Sequence, residues 1–187
     1  AELAGRLPQL RLLLTVGDSE LPAALREQLA AWVGDGGAWI SVGGVCGLGD
    51  LLGVHVQPAA YTLYGHAPNL GEGYLQKKAG AHPVLDHVTL PLHFFGGIST
   101  LAAGGTVLAH VLDAHQRPTE RVALVENRAG RGRSLFLAPD LTGTVVRIQQ
   151  GTAIERDGVG AADGTAPVGD CILKTDDGLA LDWIFDR

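Results

Sequence analysis

Methionine is absent from all 187 residues of this chain, including the first position, which is Ala1. We therefore expect the chain to be processed or excised from a longer product. Its two cysteines, Cys46 and Cys171, allow at most one intramolecular disulfide and form no Cys-x-x-Cys pair of the kind that binds zinc. No apolar run approaches the ~18 residues of a membrane span, and no secretory signal peptide is recognisable. These absences predict no membrane partner and favour a cytoplasmic location without fixing it.

Basic residues are also few, since 14 Lys and Arg stand against 20 Asp and Glu, for a net charge of −6. A surface that binds nucleic acid needs clustered Lys and Arg. The densest cluster here is Arg128, Arg131 and Arg133, in a glycine-containing turn typical of a solvent-exposed hairpin tip. We expect no nucleic-acid partner.

Glycine is the residue in surplus, at 27 of 187 residues, about twice the usual share of ~7%. No Gly-X-Y period accompanies it, which excludes collagen. Hydrophobic residues make up 46% of the chain and charged residues 18%, as in folded globular proteins and unlike disordered ones.

The pattern of the first fifty residues predicts strand, helix and strand in succession. Residues 10–16 (LRLLLTV) form an apolar run of the length of a buried parallel strand. Asp18 or Ser19 is expected to cap the following helix. The second strand is predicted at Ala38–Val42, and a short helix at Leu48–Leu52. Apolar residues at helical spacing define the first helix: Leu21, Leu25, Leu29 and Trp32.

The rest of the chain divides into further predicted strands, a helix and a tail. Residues 54–80 are expected to form loops and short strands, and a helix started by Asp140 is expected at Leu141–Gln150. Residues 1–150 are predicted to form one α/β domain that lacks its first strand and helix, and 151–187 a Gly/Asp-rich extension or the start of a truncated segment. The remaining predicted elements are strands Val88–Phe95, Thr106–Leu112, Arg121–Glu126 and Ser134–Ala138, with a hairpin turn at Asn127–Gly132.

Three stretches carry a resemblance to known proteins: LREQLAAWVGDGGAWISVGG (25–44), AHPVLDHVTLPL (81–92), which holds His82, and AGRGRSLFLAPDL (129–141). There the sequence resembles the class I glutamine amidotransferase-like superfamily, and more closely its trehalose-utilisation (ThuA-like) proteins and the trimerisation-type domains of β-galactosidases. The resemblance implies a flavodoxin-like three-layer α/β sandwich with a mostly parallel sheet, followed here by an irregular C-terminal extension. It also implies a carbohydrate-related setting.

At two positions where catalytic members of that superfamily carry functional residues, this sequence departs from the pattern. Gly43, followed by Gly44, stands at the strand-to-helix elbow where a nucleophilic cysteine is expected. Cys46 lies three positions further on, and counted from it Leu48 and Asp50 stand where the Cys-x-Gly-x-Gln continuation has Gly and Gln. At the late strand, residues 138–140 read Ala-Pro-Asp instead of His-Pro-Glu, ending in Asp140. The resemblance therefore implies a crevice lined by Gly43, Gly44 and Asp140 that lacks the catalytic Cys and His.

A different alignment puts Cys46 itself at the elbow, where a helix N-terminus favours a reactive thiolate. Asp50 and His82 are then the residues expected to converge with Cys46 at the carboxyl ends of the strands, where open α/β sheets bind ligands. The other interpretation of Cys46 is a small buried residue that packs strand against helix. The sequence leaves both interpretations open.

Metal and cofactor motifs are missing as well. None of the seven histidines forms HExxH or another spacing that places two ligands on one helix face. The Asp-rich stretches after residue 151 lack the alternating carboxylates of a calcium loop. We expect no metal site and no cofactor.

Three hypotheses about function follow. The leading one is a non-catalytic domain that serves interaction or assembly, with other domains of a larger protein or further copies of itself as partners. Its contact surface is expected in the aromatic segment Tyr61–Tyr74. The alternatives are a hydrolase or transferase that acts on a sugar or amide through Cys46, and a module that binds a small sugar without chemistry.

Overall fold

Strands dominate the part of the chain that the computed structural model describes, which is residues 2–57, 70–80 and 82–150. The strands are β1 (Leu12–Val16), β2 (Ala38–Val42), β3 (Val54–Val56), β4 (Glu72–Lys77), β5 (Leu92–Phe95), β6 (Thr100–Ala102), β7 (Thr106–Asp113), β8 (Pro118–Ala129) and β9 (Gly132–Leu137). The helices are α1 (Glu2–Arg6), α2 (Ala23–Gly34), α3 (Gly49–Leu52) and α4 (Leu141–Gln150), with 3₁₀ turns at Leu7–Gln9 and Pro83–Leu85.

Seven of these strands form one mixed sheet in the order β1-β2-β9-β8-β7-β4-β5. The pairs β1–β2 and β2–β9 are parallel, and every other pair in this sheet is antiparallel. Strands β3 and β6 pair with each other in a separate antiparallel ribbon. The parallel strands therefore occupy only one end of the sheet.

The fold class expected from the resemblance, a flavodoxin-like three-layer sandwich with a mostly parallel sheet, is wrong. That fold needs parallel strands joined by crossover helices that cover both faces. Here β7, β8 and β9 follow one another as antiparallel neighbours joined by short turns. Apolar runs of this length occur in hairpin strands and in crossover strands alike, so the runs alone do not distinguish the two.

Several predicted elements are nevertheless confirmed. Strand β2 and helix α4 have their predicted bounds. Strands β8 and β9 form the predicted hairpin, but its turn is shorter than Asn127–Gly132, because β8 extends to Ala129 and β9 begins at Gly132. The predicted cap of α2 is wrong, because the helix begins at Ala23 after Pro22 and has no side-chain cap. Strand β5 begins only at Leu92, just after Pro91, which has no N–H to donate to a ladder. The division at residue 150 stays a prediction, since residues 151–187 lie outside the described residues.

The two faces of the parallel strands are covered unequally. On one face, Leu29 and Val33 of α2 share a buried core with Trp39 of β2 and Phe136 of β9. The other face carries three apolar side chains of β1 that are more than half exposed, namely Leu12, Leu14 and Val16. The sheet thus has one packed face and one partly open face at its parallel end.

The turn between β7 and β8 is organised by Asp113. Its Oδ1 accepts hydrogen bonds from the backbone N–H groups of His115 and Arg117, both at 2.9 Å, and its Oδ2 accepts one from Arg117 Nε at 2.7 Å. The hydrogen bond from the Arg117 backbone N–H contributes most to lowering the pKa of Asp113 below its ordinary value of 3.8. The Arg117 side chain and the His115 backbone act in the same direction.

We predict that Asp113→Asn removes part of the acid sensitivity of the fold. Because the native pKa is depressed, the carboxylate stabilises the folded state above its unfolded pKa, and this contribution disappears as the pH falls through the native pKa. Urea unfolding at a series of pH values between about 6 and about 2 measures the effect. The wild type should lose more stability than the variant over the acidic part of this range. Glu120→Gln, which neutralises an exposed carboxylate on β8, is the control and should follow the wild type.

Candidate functional site

The loops that follow β1, β2 and β9 meet at the carboxyl end of the parallel strands. We call residues 43–46, which follow β2, the elbow. A Cβ atom on Gly43 would lie 3.7 Å from Asp140 Cα, and a Cβ on Gly44 would overlap the backbone of Gly17 and Asp18. Gly43 and Asp140 are therefore neighbours, whereas Gly44 packs against the loop after β1, and the crevice itself stays a prediction. The backbone contacts at Gly44 leave no room for a side chain there.

The Asp18 carboxylate fills the anion position of the elbow. Its Oδ1 accepts hydrogen bonds from the backbone N–H of Val45 at 2.9 Å and of Cys46 at 2.8 Å. Two adjacent backbone N–H groups aimed at one point are the arrangement that proteins use to bind anions or to stabilise a developing negative charge. Here the protein's own carboxylate takes both bonds, so the elbow is satisfied from within.

Cys46 is buried, with 2% of its surface exposed. Its Sγ lies 4.0 Å from the carbonyl oxygen of Gly17, to which the thiol donates a weak hydrogen bond. The backbone of Cys46 is left-handed, with φ +52°, a conformation that residues with a side chain rarely adopt. The thiol therefore packs inside the loop junction instead of facing solvent.

A chain of hydrogen bonds beneath the elbow connects it to the core. Trp39 Nε1 donates to Thr15 Oγ1 at 3.0 Å, and Thr15 Oγ1 lies 3.0 Å from Ser41 Oγ. Ser41 Oγ donates in turn to the carbonyl oxygen of Gly44 at 2.7 Å. Sequence reasoning missed these residues, although a signal existed. Thr15 and Ser41 are the only hydroxyl residues of strands β1 and β2, and they lie directly opposite each other.

Asp140 is the N-cap residue of α4, as predicted. Its Oδ1 accepts hydrogen bonds from the backbone N–H of Gly143 at 2.9 Å and from Thr142 Oγ1 at 3.3 Å. A Cβ on Gly143 would collide with this carboxylate, which explains a glycine inside the first turn of the helix. The Asp140 carboxylate thus stabilises the first turn of α4 by accepting hydrogen bonds there.

The other two residues of the catalytic hypothesis have local partners. His82 Nδ1 accepts a hydrogen bond from the backbone N–H of Val84 at 3.2 Å and so caps the 3₁₀ turn that follows. Asp50 is exposed in the first turn of α3, and its carbonyl oxygen accepts a bond from Asn127. Across the described ranges, no hydrogen bond or ion pair joins Cys46, Asp50 and His82 to one another. Their convergence stays a prediction.

The described residues contain no group of three or more His, Cys, Asp or Glu side chains that could hold a metal ion. His93 is instead bound to Glu72 at 2.9 Å and stacked against Tyr74. No helix among the same residues has the length and apolar character to cross a membrane. Of the aromatic segment Tyr61–Tyr74, residues 61–69 lie outside the described part.

The fold is shared with parts of larger proteins of low sequence identity. A cytoplasmic protein from Salmonella typhimurium LT2, STM1381, matches 73% of this chain with a TM-score of 0.57 and 15% identity. A β-galactosidase from Bacillus circulans sp. alkalophilus matches 76% of it with a TM-score of 0.54 and 14% identity, and one from Rahnella sp. R3 matches 73% with a TM-score of 0.51 and 14% identity. The matched regions span 63%, 23% and 22% of those chains, respectively.

At these identities the structural likeness shows the fold alone. No protein-family model matches the sequence, and no curated protein matches it either. The matched regions in the two β-galactosidases are therefore parts of much longer chains that share this architecture with the present one. The chain itself spans about two thirds of STM1381 and less than a quarter of either galactosidase.

We predict that Asp18→Ala destabilises the fold, because it leaves the buried N–H groups of Val45 and Cys46 without acceptors. An unsatisfied buried donor costs about 1–3 kcal/mol, and denaturant unfolding would measure the loss. Asp18→Asn keeps an acceptor oxygen at the same place and should retain most of the stability. Equal stability of wild type and Asp18→Ala would contradict this role.

Proposed function

We propose that this chain is a non-catalytic domain of amidotransferase-like descent that serves interaction or assembly in a larger, carbohydrate-related protein. The ThuA-like and trimerisation-type resemblance of its sequence motifs supports this proposal. The architecture that it shares with parts of two β-galactosidases supports the same setting. The partners are other domains of the parent protein or further copies of the chain.

The observation that carries the proposal is the Asp18 carboxylate on the elbow. Acyl transfer through a cysteine needs free backbone donors to stabilise the developing oxyanion. The donors of Val45 and Cys46 are already bound to Asp18 at 2.9 and 2.8 Å. A substrate oxyanion at this position would have to displace a carboxylate of the same charge, which disfavours catalysis at the elbow.

The surroundings of Cys46 and of the late strand support the same conclusion. A cysteine nucleophile needs exposure and a neighbouring base. Cys46 is buried, and its sulfur contacts a backbone carbonyl. The residue at the superfamily's histidine position, Ala138, is buried and has no titratable group. The alternative of a hydrolase or transferase would require the loops around Gly17 and the elbow to rearrange.

We predict that Cys46 is inert toward alkylation in the native state. In a Cys171→Ser variant, which leaves Cys46 as the single thiol, iodoacetamide near neutral pH should modify the native protein far more slowly than the urea-unfolded protein. Mass spectrometry over time measures both rates, and the unfolded sample is the internal control. Native alkylation as fast as that of the unfolded chain would favour the cysteine mechanism over our proposal.

We also predict that the aromatic segment contributes to assembly. Tyr61→Ala combined with Tyr64→Ala should shift the full chain toward smaller species in sedimentation equilibrium, or weaken its binding to the neighbouring domain of its parent protein. Thr106→Ala, at an exposed position of β7, is the control. Unchanged association in the tyrosine variant would remove this segment as the contact surface.

A further inference from the structure

In the described part of the chain, one face at the parallel end of the sheet is exposed along β1. Leu12, Leu14 and Val16 of the edge strand β1 are 52%, 57% and 55% exposed. The register of β1, β2 and β9 places further apolar side chains on the same side. We call this surface the open face, and it consists of Leu12, Leu14, Val16, Ile40, Leu135 and Leu137. A contiguous apolar patch on an edge strand is a site of association in folded proteins.

The open face continues into an apolar groove. A cavity of about 450 Å³ is lined by Ile40, Val42, Leu135 and Leu137 together with residues 83–85. Its lining is almost wholly aliphatic, and its volume lies in the range that binds a large side chain or small ligand. Such a lining suits an apolar group and offers few partners for the hydroxyls of a sugar.

Two arginines border the open face at the other end of β9. Arg133 lies two residues before Leu135 and is paired directly with Arg128 across the β8–β9 ladder. Both side chains are exposed, and neither forms an ion pair with another described residue. Like charges directly opposite each other on neighbouring strands destabilise a sheet. A carboxylate placed beside the two guanidinium groups would relieve their repulsion and form charge-assisted hydrogen bonds with them.

The C-terminal part of the same chain has the complementary pattern. Residues 151–187 contain eight Asp or Glu and three Lys or Arg, so they carry −5 of the chain's net charge of −6. Within them, Asp176 and Asp177 are followed by four large apolar residues at every second position: Leu179, Leu181, Trp183 and Phe185. In an extended segment such alternation places all four on one side.

We propose that residues 176–185 bind the open face of their own chain. The carboxylates of Asp176 and Asp177 pair with Arg128 and Arg133, and the alternating apolar side chains cover the leucines and fill the groove. This inference goes beyond the proposed function and does not depend on it. It accounts together for the exposed leucines, the unpaired arginines and the acidic–apolar order of the segment.

The connecting chain is long enough for this contact. About 25 residues separate α4 from Asp176, and a relaxed coil of that length spans about 25–30 Å. A domain of about 150 residues has a radius of gyration of about 15 Å, so the segment reaches any part of its surface. Tethering also raises the local concentration of the segment to the millimolar range, which favours binding within one chain over binding between chains.

Hydrogen exchange of the full-length chain, followed by mass spectrometry, tests the proposal. Amides in residues 176–185 should exchange about tenfold or more slowly than in an unstructured peptide, independent of protein concentration. Asp176→Lys combined with Asp177→Lys should abolish this protection, and adding Arg128→Glu and Arg133→Glu should restore it. Leu14→Ser, a change at an exposed position, should weaken it while leaving the fold intact.

The control variant, Asp157→Lys with Asp163→Lys, changes the same number of charges within residues 151–187 but outside residues 176–185. It should leave the protection of residues 176–185 unchanged. Three outcomes would overturn the proposal. They are unprotected amides at 176–185 in the wild type, an equal effect of the control, and protection that rises with protein concentration, which would assign the open face to a second copy.

Discussion

The hydrogen bonds from two elbow amides to Asp18 are the interaction on which the arrangement of the parallel strand ends depends. They fix the loop after β1 against the loop after β2, and the contact is close enough that position 44 accepts only glycine. Cys46 is buried in consequence, since its sulfur is enclosed by the loop that carries Asp18. A single carboxylate thus binds both free N–H groups of the elbow and ties the two loops together.

The sheet has an antiparallel part and a parallel part, and the two bury their apolar side chains in different ways. Its antiparallel part is built from consecutive hairpins and buries its apolar side chains without crossover helices. Its parallel part has helix α2 on one side only, so the leucines of β1 face outward on the other. An edge strand with this exposure needs a cover, and the arginines beside it select one with negative charge. The open face is apolar and bordered by positive charge, and residues 176–185 combine apolar and acidic side chains, so the two match in hydrophobicity and in charge.

Local elements were predictable from the sequence, but their arrangement was not. The run Ala38–Val42 between glycines defines β2 to the residue, and Asp140 marks the start of α4, because both signals are local. Strands β7 and β8 have apolar runs like those of parallel strands, and only their pairing reveals a hairpin. The role of Asp18 escaped prediction for a related reason. Its partners lie 27 and 28 residues away, whereas the capping pattern that suggested a helix start is read within three.

The facing hydroxyls of Thr15 and Ser41 have a consequence for how the chain reaches this structure. Three consecutive leucines at positions 12 to 14 make the first part of β1 uniform, so hydrophobic contact alone would tolerate several alignments against β2. Only one alignment joins the Trp39 indole, Thr15, Ser41 and the Gly44 carbonyl in an unbroken series. A shift of two residues in the register of β1 against β2 would leave the leucines buried or exposed as before. It would, however, leave buried polar groups without hydrogen-bond partners. The hydroxyl pair therefore favours this one register of β1 against β2 over the neighbouring registers.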